Sequence, residues 1–250
     1  MATEDPHGGD RSVLGRAFAV LGAFDDRHRV RTASEIARAV GLPVPTTHRL
    51  CAKLADLGAL DRDESGRLSI GEAIWELGHL SPRRQGLRES ARPYMEDLFV
   101  ATRENVQLTT LDGAEVVYVE QISGRQAISV KSRAGGRLPA HVSSGGLVLL
   151  AHAPADTVNA VIDAGLQALT PNSITDERTL RATLHEIRRR GHAICRQMVD
   201  PHSVALAAPV HDGPSVVAAL SIVVSPSTPT EPLIPALKAT ARGISRALAG

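Results

Sequence analysis

The period of the apolar positions changes near residue 105 and divides the chain in two. From Ser12 onward, Val13, Ala17, Phe18, Leu21 and Phe24 recur at helical spacing, with Asp10 or Ser12 placed to cap a first helix. Thr32-Ala-Ser-Glu35 has the form of a capping box. Ile36, Ala37 and Val40 then give an apolar face, and Gly41 stands where a helix end needs a left-handed residue. Leu42-Pro-Val-Pro45 puts a proline where a first helical turn tolerates it, and Leu50, Leu54 and Leu57 follow on one face until Gly58. The order is helix, tight turn, helix. Residues 59–62 and 67–70 read as short strands around the turn Asp63-Glu-Ser-Gly66, a wing, and a helix near 72–80 follows.

Ser81-Pro-Arg-Arg-Gln-Gly86 has linker composition, and a longer helix is expected from Leu87. Beyond Asn105, residues 106–111, 116–122 and 127–131 alternate as strands separated by Asp112-Gly113 and Ser123-Gly124. Helices are expected at 145–153, 155–164 and 176–190, the last capped by Thr175 and ended by Gly191. Strands resume at 192–196, 204–210 and 216–224, and 232–248 closes as a helix. The fold class is α+β. The pattern assigns 1–11 to a loose tail, 12–80 to a winged helix-turn-helix, 81–86 to a linker and 87–250 to an antiparallel sheet with flanking helices.

Composition narrows what such a chain can do. Its 250 residues are 43% hydrophobic, enough for a real core, and the formal net charge of +1 excludes a polybasic or acidic tail-type binder. Six aromatic residues leave little for base-stacking platforms, which argues against single-strand binding but not against a helix in a major groove. Cys51 and Cys195 form no C-x-x-C motif, and no apolar run suits a leader or a membrane span, so the chain reads as soluble and cytoplasmic with no cofactor.

Charge distribution says more than net charge. Residues 1–80 carry ten Lys and Arg against twelve Asp and Glu, yet Arg27, Arg29, Arg31, Arg38, Arg49 and Lys53 face one acid, Glu35, within residues 27–53. At 100° per residue, Thr47, Leu50, Cys51, Leu54 and Leu57 share one side of the third helix. Pro45, His48, Arg49, Ala52, Lys53 and Asp56 share the other. The first side packs, and the second is free to enter a groove. Arg49 is a fork donor for guanine or phosphate, flanked by His48 and Lys53, while Thr46 in the first turn reaches a phosphate. Arg62 and Arg67 offer the wing to phosphates, although Asp61, Asp63 and Glu64 crowd the same hairpin.

The segment Leu42-Pro-Val-Pro-Thr-Thr-His-Arg-Leu50 resembles the recognition segment of the isocitrate-lyase-regulator (IclR) family of bacterial transcription regulators. Ordered matches continue along about residues 12–248, among them Gly66-Arg-Leu68, Ala91-Arg-Pro-Tyr94, Arg137-Leu-Pro139, Thr170-Pro171 and Ala207-Ala-Pro-Val210. The resemblance implies DNA contacts at Thr32, Pro45, Thr46, Thr47, His48, Arg49, Lys53, Arg62 and Arg67. It also implies a GAF- or profilin-like second domain whose small-molecule effector, a small organic or aromatic acid, sits at Ala127, Val130, Ser144, Gly145, Cys195, Ala205, Ser221 and Val223. Homodimers or homotetramers on double-stranded DNA are implied as well, with repressor or activator action left open; a two-fold protein should select an inverted-repeat operator, and the lack of an apolar span gives no membrane partner. Leu14, Val20, the exposed part of the first helix and the 72–80 helix are the apolar surfaces expected to join copies. The family's usual pocket acids and lysine are replaced at Leu147, Cys195 and Met198, and a usual glycine by His202, so the pocket is expected to lose acids and gain a thiol, a thioether and an imidazole.

Two alternatives follow from the residues. The second half could merely oligomerise a DNA-associated module. Alternatively, His192, Cys195, His202 and His211 could be metal ligands, or Cys195 with a histidine a nucleophilic pair. No Gly-x-Ser-x-Gly, His-Glu-x-x-His or phosphate-loop sequence accompanies them, so no catalytic or metal residue is assigned.

Overall fold

The computed structural model describes residues 12–24, 28–79, 82–124 and 135–249, and divides the chain into two compact units at residue 82. The N-terminal unit holds α1 (Val13–Gly22), α2 (Ala33–Val40), α3 (Val44–Asp56), the strands β1 (Leu60–Arg62) and β2 (Leu68–Ile70), and α4 (Glu72–His79). Ser12 rather than Asp10 caps α1, its Oγ accepting the Gly15 amide at 3.0 Å. Thr32 and Glu35 exchange bonds across the start of α2, and Gly41 ends it at φ 66°. Val20, Ile36, Cys51, Leu54, Leu60 and Leu68 fill the core. β1 and β2 pair antiparallel, and Arg31 adds a bridge to Leu68 on the outer edge, a third strand fragment too short to have a sequence period.

Two apolar expectations are corrected here. Leu57, placed on the packed side of α3, caps the helix C-terminus beyond the last regular turn and is 72% exposed. Val20, offered as a surface for joining copies, is fully buried in the core.

The C-terminal unit runs α5 (Pro82–Thr102), β3 (Asn105–Asp112), β4 (Glu115–Ile122), β5 (Arg137–Pro139), α6 (Ser144–His152), α7 (Ala155–Asp163), α8 (Glu177–Arg190), β6 (Ala193–Arg196), β7 (Val204–Asp212), β8 (Ser215–Val224) and α9 (Leu233–Ala249). Residues 82–86, read as linker, are the opening of α5, which proline tolerates in a first turn. Asp176, not Thr175, caps α8 by accepting the Thr179 amide. The strand expected at 127–131 lies outside the described residues, and β5, which the pattern missed, is only three residues long.

The six described strands form one antiparallel sheet in the order β5-β4-β3-β8-β7-β6. Strand alternation gives its two faces different chemistry. Val106, Leu108, Val204, Leu206, Leu220 and Ile222 pack with residues of α5 and α9 in one core. The opposite face meets α6, α7 and α8, where Leu147, Val148, Leu150, Leu180 and Leu184 form a second core with Tyr118, Ala207 and Ala219. Among the described residues no helix is long and apolar enough to cross a membrane.

Candidate functional site

On α3 the division of faces is physical. Thr47 and Cys51 are fully buried, whereas Pro45, His48, Arg49, Ala52 and Lys53 are exposed and Thr46 is half-buried in the first turn. Among the described residues neither Arg49 nor Lys53 has a hydrogen-bond or ion-pair partner. Both cations are therefore available to an external anion. Thr47 is not: its Oγ1 donates to the Pro43 carbonyl at 3.2 Å inside the core, so this candidate contact is a packing residue. Thr32 is spent in the capping box, its Oγ1 donating to Glu35 and accepting the Glu35 amide. The Thr32 backbone amide, donating to the Glu35 carboxylate at 2.7 Å, and then the Thr32 hydroxyl hold that carboxyl below the usual carboxylate range, with Arg67 and Arg31 adding smaller pulls.

The wing is fixed from within its turn. The Asp63 carboxylate accepts the Ser65 hydroxyl at 2.7 Å and the Ser65 and Arg67 amides, which keeps its pKa low and directs its charge into the turn. Arg62 donates to the Gly66 carbonyl at 3.4 Å and stays exposed. Arg67 donates to the Val30 carbonyl and lies 3.9 Å from Glu35, so it braces the wing as well as presenting charge.

In the C-terminal unit, Ser144, Gly145, Cys195, Ala205, Ser221 and Val223 line one partly open cavity. Sheet register explains how residues so far apart in sequence meet. Cys195 pairs with Ala205 and Ala205 with Val223, giving one row across β6, β7 and β8. Ser221 pairs with Gln107 on β3, and Thr109 sits two positions further along on the same face. Small side chains at Ala205 and Ser221 leave the empty space that leucine and isoleucine fill on the other face. Ala127 and Val130 lie outside the described residues.

The N-terminus of α6 closes the cavity from above. Ser143 caps it, its Oγ accepting the Gly146 amide at 3.0 Å, so only Ser144 of the two adjacent hydroxyls is left for other work. Gly145 and Gly146 allow the close approach. A Cβ at 145 would stand 2.3 Å from Thr109 Oγ1, and one at 146 would stand 2.2 Å from the Ala140 carbonyl oxygen. Thr109 Oγ1 is itself held by the Ala219 carbonyl at 3.3 Å. Among the described residues the Ser144 and Ser221 hydroxyls have no hydrogen-bond partner. They offer donors beside helix amides that lack an intrahelical acceptor.

The rim is the 197–203 loop, with Gln197 in the left-handed region at φ 57°. Thr170 and Ser173 clamp it through the Gln197 and Met198 carbonyls at 2.7 and 2.8 Å. Met198 lines the cavity, but His202 is exposed on the outer side of the loop and Leu147 is buried in the helical core, so neither tunes the lining as expected. Nor is the lining free of acids, because Asp200 contributes to the rim while accepting the His202 amide. Gln107, Thr109, Tyr118 and Ser203 complete a polar set that sequence reasoning missed. Among the described residues no Lys, Arg or His contributes to the lining.

The catalytic alternatives lose their geometry. Burial pushes the Cys195 thiol up to about 12, so it is a neutral wall rather than a thiolate. His192 and His211 line other depressions, and the described residues contain no group of three or more metal-ligating side chains.

Comparison with known proteins agrees with both halves. Residues 13–64 match the family described as IclR helix-turn-helix domain, and residues 80–247 match that described as bacterial transcriptional regulator IclR C-terminal. The HTH-type transcriptional regulator KipR of Bacillus subtilis (strain 168) is 31% identical over 205 residues, 82% of each chain. The HTH-type transcriptional repressor AllR of Klebsiella pneumoniae is 30% identical over 247 residues, 94% of this chain and 89% of its own. A crystal structure of an IclR homolog from Microbacterium hydrocarbonoxydans, complexed with 4-hydroxybenzoate, has a TM-score of 0.88 at 34% identity, covering 95% of this chain and 99% of that one. With both of its units matched in order, the chain belongs to the IclR family of bacterial DNA-binding transcriptional regulators.

Proposed function

We propose that this regulator is a cytoplasmic repressor whose operator affinity is set by a small organic acid, aromatic in the simplest case, held in the α6 cavity. The observation that carries this reading is the cavity itself: two unpartnered hydroxyls, Ser144 and Ser221, at a helix N-terminus over a floor of Cys195, Ala205 and Val223. Neutral dipoles at a helix start suit a carboxylate, and Tyr118, Leu138 and Met198 suit an apolar ring. The solved relative bound to 4-hydroxybenzoate supports the ligand class.

On the output side, Arg49, Lys53, His48, Thr46 and Pro45 are the groups α3 presents to a major groove, with Arg62 and Arg67 at the wing. One such helix reads few base pairs, so two copies on an inverted repeat are required for useful specificity. Val13, Leu14 and Phe18 leave an apolar stripe exposed on α1, and Leu77 is exposed on α4; we assign them to contact with a second copy.

Two measurements test the reading. Thermal unfolding across a panel of small aromatic and aliphatic carboxylates, 4-hydroxybenzoate included, is expected to reveal at least one that stabilises the wild type and fails to stabilise Ser144→Ala. Sedimentation at micromolar concentration is expected to show a dimer or tetramer. No stabilising acid in the panel, or a monomer binding one site alone, would contradict it.

A further inference from the structure

A second depression lies on the helical side of the C-terminal unit and shares no lining residue with the α6 cavity. His152 at the end of α6, Arg181, His185 and Arg188 on α8, and His211 at the end of β7 line it, and among the described residues no carboxylate does. The His152 and His211 rings meet edge to face at 6.3 Å between centroids. The Val148 carbonyl can only accept, so His152 donates to it through Nδ1 at 2.9 Å, leaving Nε2 for other partners. Arg188 spends its Nε on the Ala151 carbonyl, and among the described residues its terminal nitrogens have no partner.

The start of α7 adds to this field. Ala155 and Thr157 line the same depression, and the N-cap, Pro154, has no side chain able to bond the first amides. Acids near in sequence do not balance it: Glu177 is paired with Arg181 at 2.7 Å, while Asp156 and Asp212 lie outside the lining. Burial and the neighbouring His152 both lower the His211 pKa, the signature of imidazoles placed together without a counter-charge. Below them, Leu149, Val158, Leu184 and Val216 give an apolar floor.

We propose that this depression binds an organic phosphate, its tetrahedral oxyanion taken by Arg188, His152 and His211 and its organic part by the apolar floor. Such a ligand supplies the missing counter-charge and favours the protonated form of His211, so affinity rises as the pH falls. The site is separate from the effector cavity and does not depend on that cavity being occupied.

Phenyl phosphate titrated calorimetrically into the full-length protein tests this. Phenyl sulfate serves as the companion probe because its charge does not titrate between about pH 6 and 8. Saturable binding of one phenyl phosphate per protomer is expected. Phenyl sulfate should bind about tenfold more tightly at pH 6 than at pH 8. His211→Gln, whose backbone amide keeps its bond to Ser245, and Arg188→Gln should each weaken binding about tenfold, while Ser144→Ala leaves it unchanged. Circular dichroism separates misfolding from lost binding, and Arg188→Lys should recover part of the affinity. Absence of saturable binding at millimolar concentration overturns the proposal, as does affinity indifferent to pH and to His211→Gln. Binding that vanishes in Ser144→Ala would place the probe in the other cavity and also overturn it.

Discussion

Ser144 and Ser221 occupy the same wall of the cavity from different directions, one from the first turn of α6 and one from the centre of the sheet. Each hydroxyl should contribute on the order of 1 kcal/mol to ligand affinity, so Ser144→Ala and Ser221→Ala should each raise the Kd about fivefold by calorimetry, with ligand-free DNA binding unchanged. Cys195→Asp adds a second carboxylate to a lining that already holds Asp200, and should cost an anionic ligand more than either serine change. A wild-type Kd in both serine variants would move the ligand elsewhere. Gln107 and Thr109 illustrate what single residues conceal. In β3 they alternate with Val106 and Leu108, a pattern that reads as a solvent face. Only the helices covering that side turn the polar row into a buried lining, and helix packing across the sheet is not a local property of the strand.

α3 shows how far an element can be read from period alone. Its buried Thr47, Cys51 and Leu54 and its exposed His48, Arg49 and Lys53 follow from 3.6 residues per turn, but the period could not say where the last turn stops, and Leu57 falls beyond it. Arg49→Ala should cost about 1–3 kcal/mol on the selected operator and relax base preference, whereas Lys53→Ala should weaken all sequences alike and reduce the salt slope by about one. Anisotropy titrations at matched salt distinguish them, and a wild-type operator affinity in Arg49→Ala would remove α3 from the groove. The sheet was legible by other means, because β7 and β8 are near-continuous apolar runs, buried on both faces, on either side of the turn at His211-Asp-Gly-Pro214. β5 and the Arg31 bridge were not, since three residues or one carry no period and owe their pairing to β4 and β2.

At the scale of the molecule, pH should act through stability before it acts through charge on DNA. His141 is buried and donates through Nε2 to the Gln167 carbonyl at 2.9 Å; burial lowers its pKa below 6.5 despite that bond. The folded state therefore prefers neutral His141: its contribution is complete above pH 6.5 and is lost as the pH falls below that value toward the lowered folded pKa. Thermal unfolding between pH 7.5 and pH 5.5 should show the C-terminal transition falling, and His141→Gln, which keeps a donor without the titration, should flatten that slope. The two-unit division was visible in the change of period, while the boundary was blurred because Ser81-Pro-Arg-Arg-Gln-Gly86 has linker chemistry yet opens α5. Coupling between the units is the central claim, and ligand and DNA must then change each other's affinity by the same factor. The most direct measurement is operator affinity by fluorescence anisotropy with and without a saturating stabilising acid, in wild type and Ser144→Ala. The account predicts a change of about fivefold or more in wild type, reached only at higher ligand concentration in Ser144→Ala. Identical wild-type operator affinity with the cavity empty and saturated would contradict it.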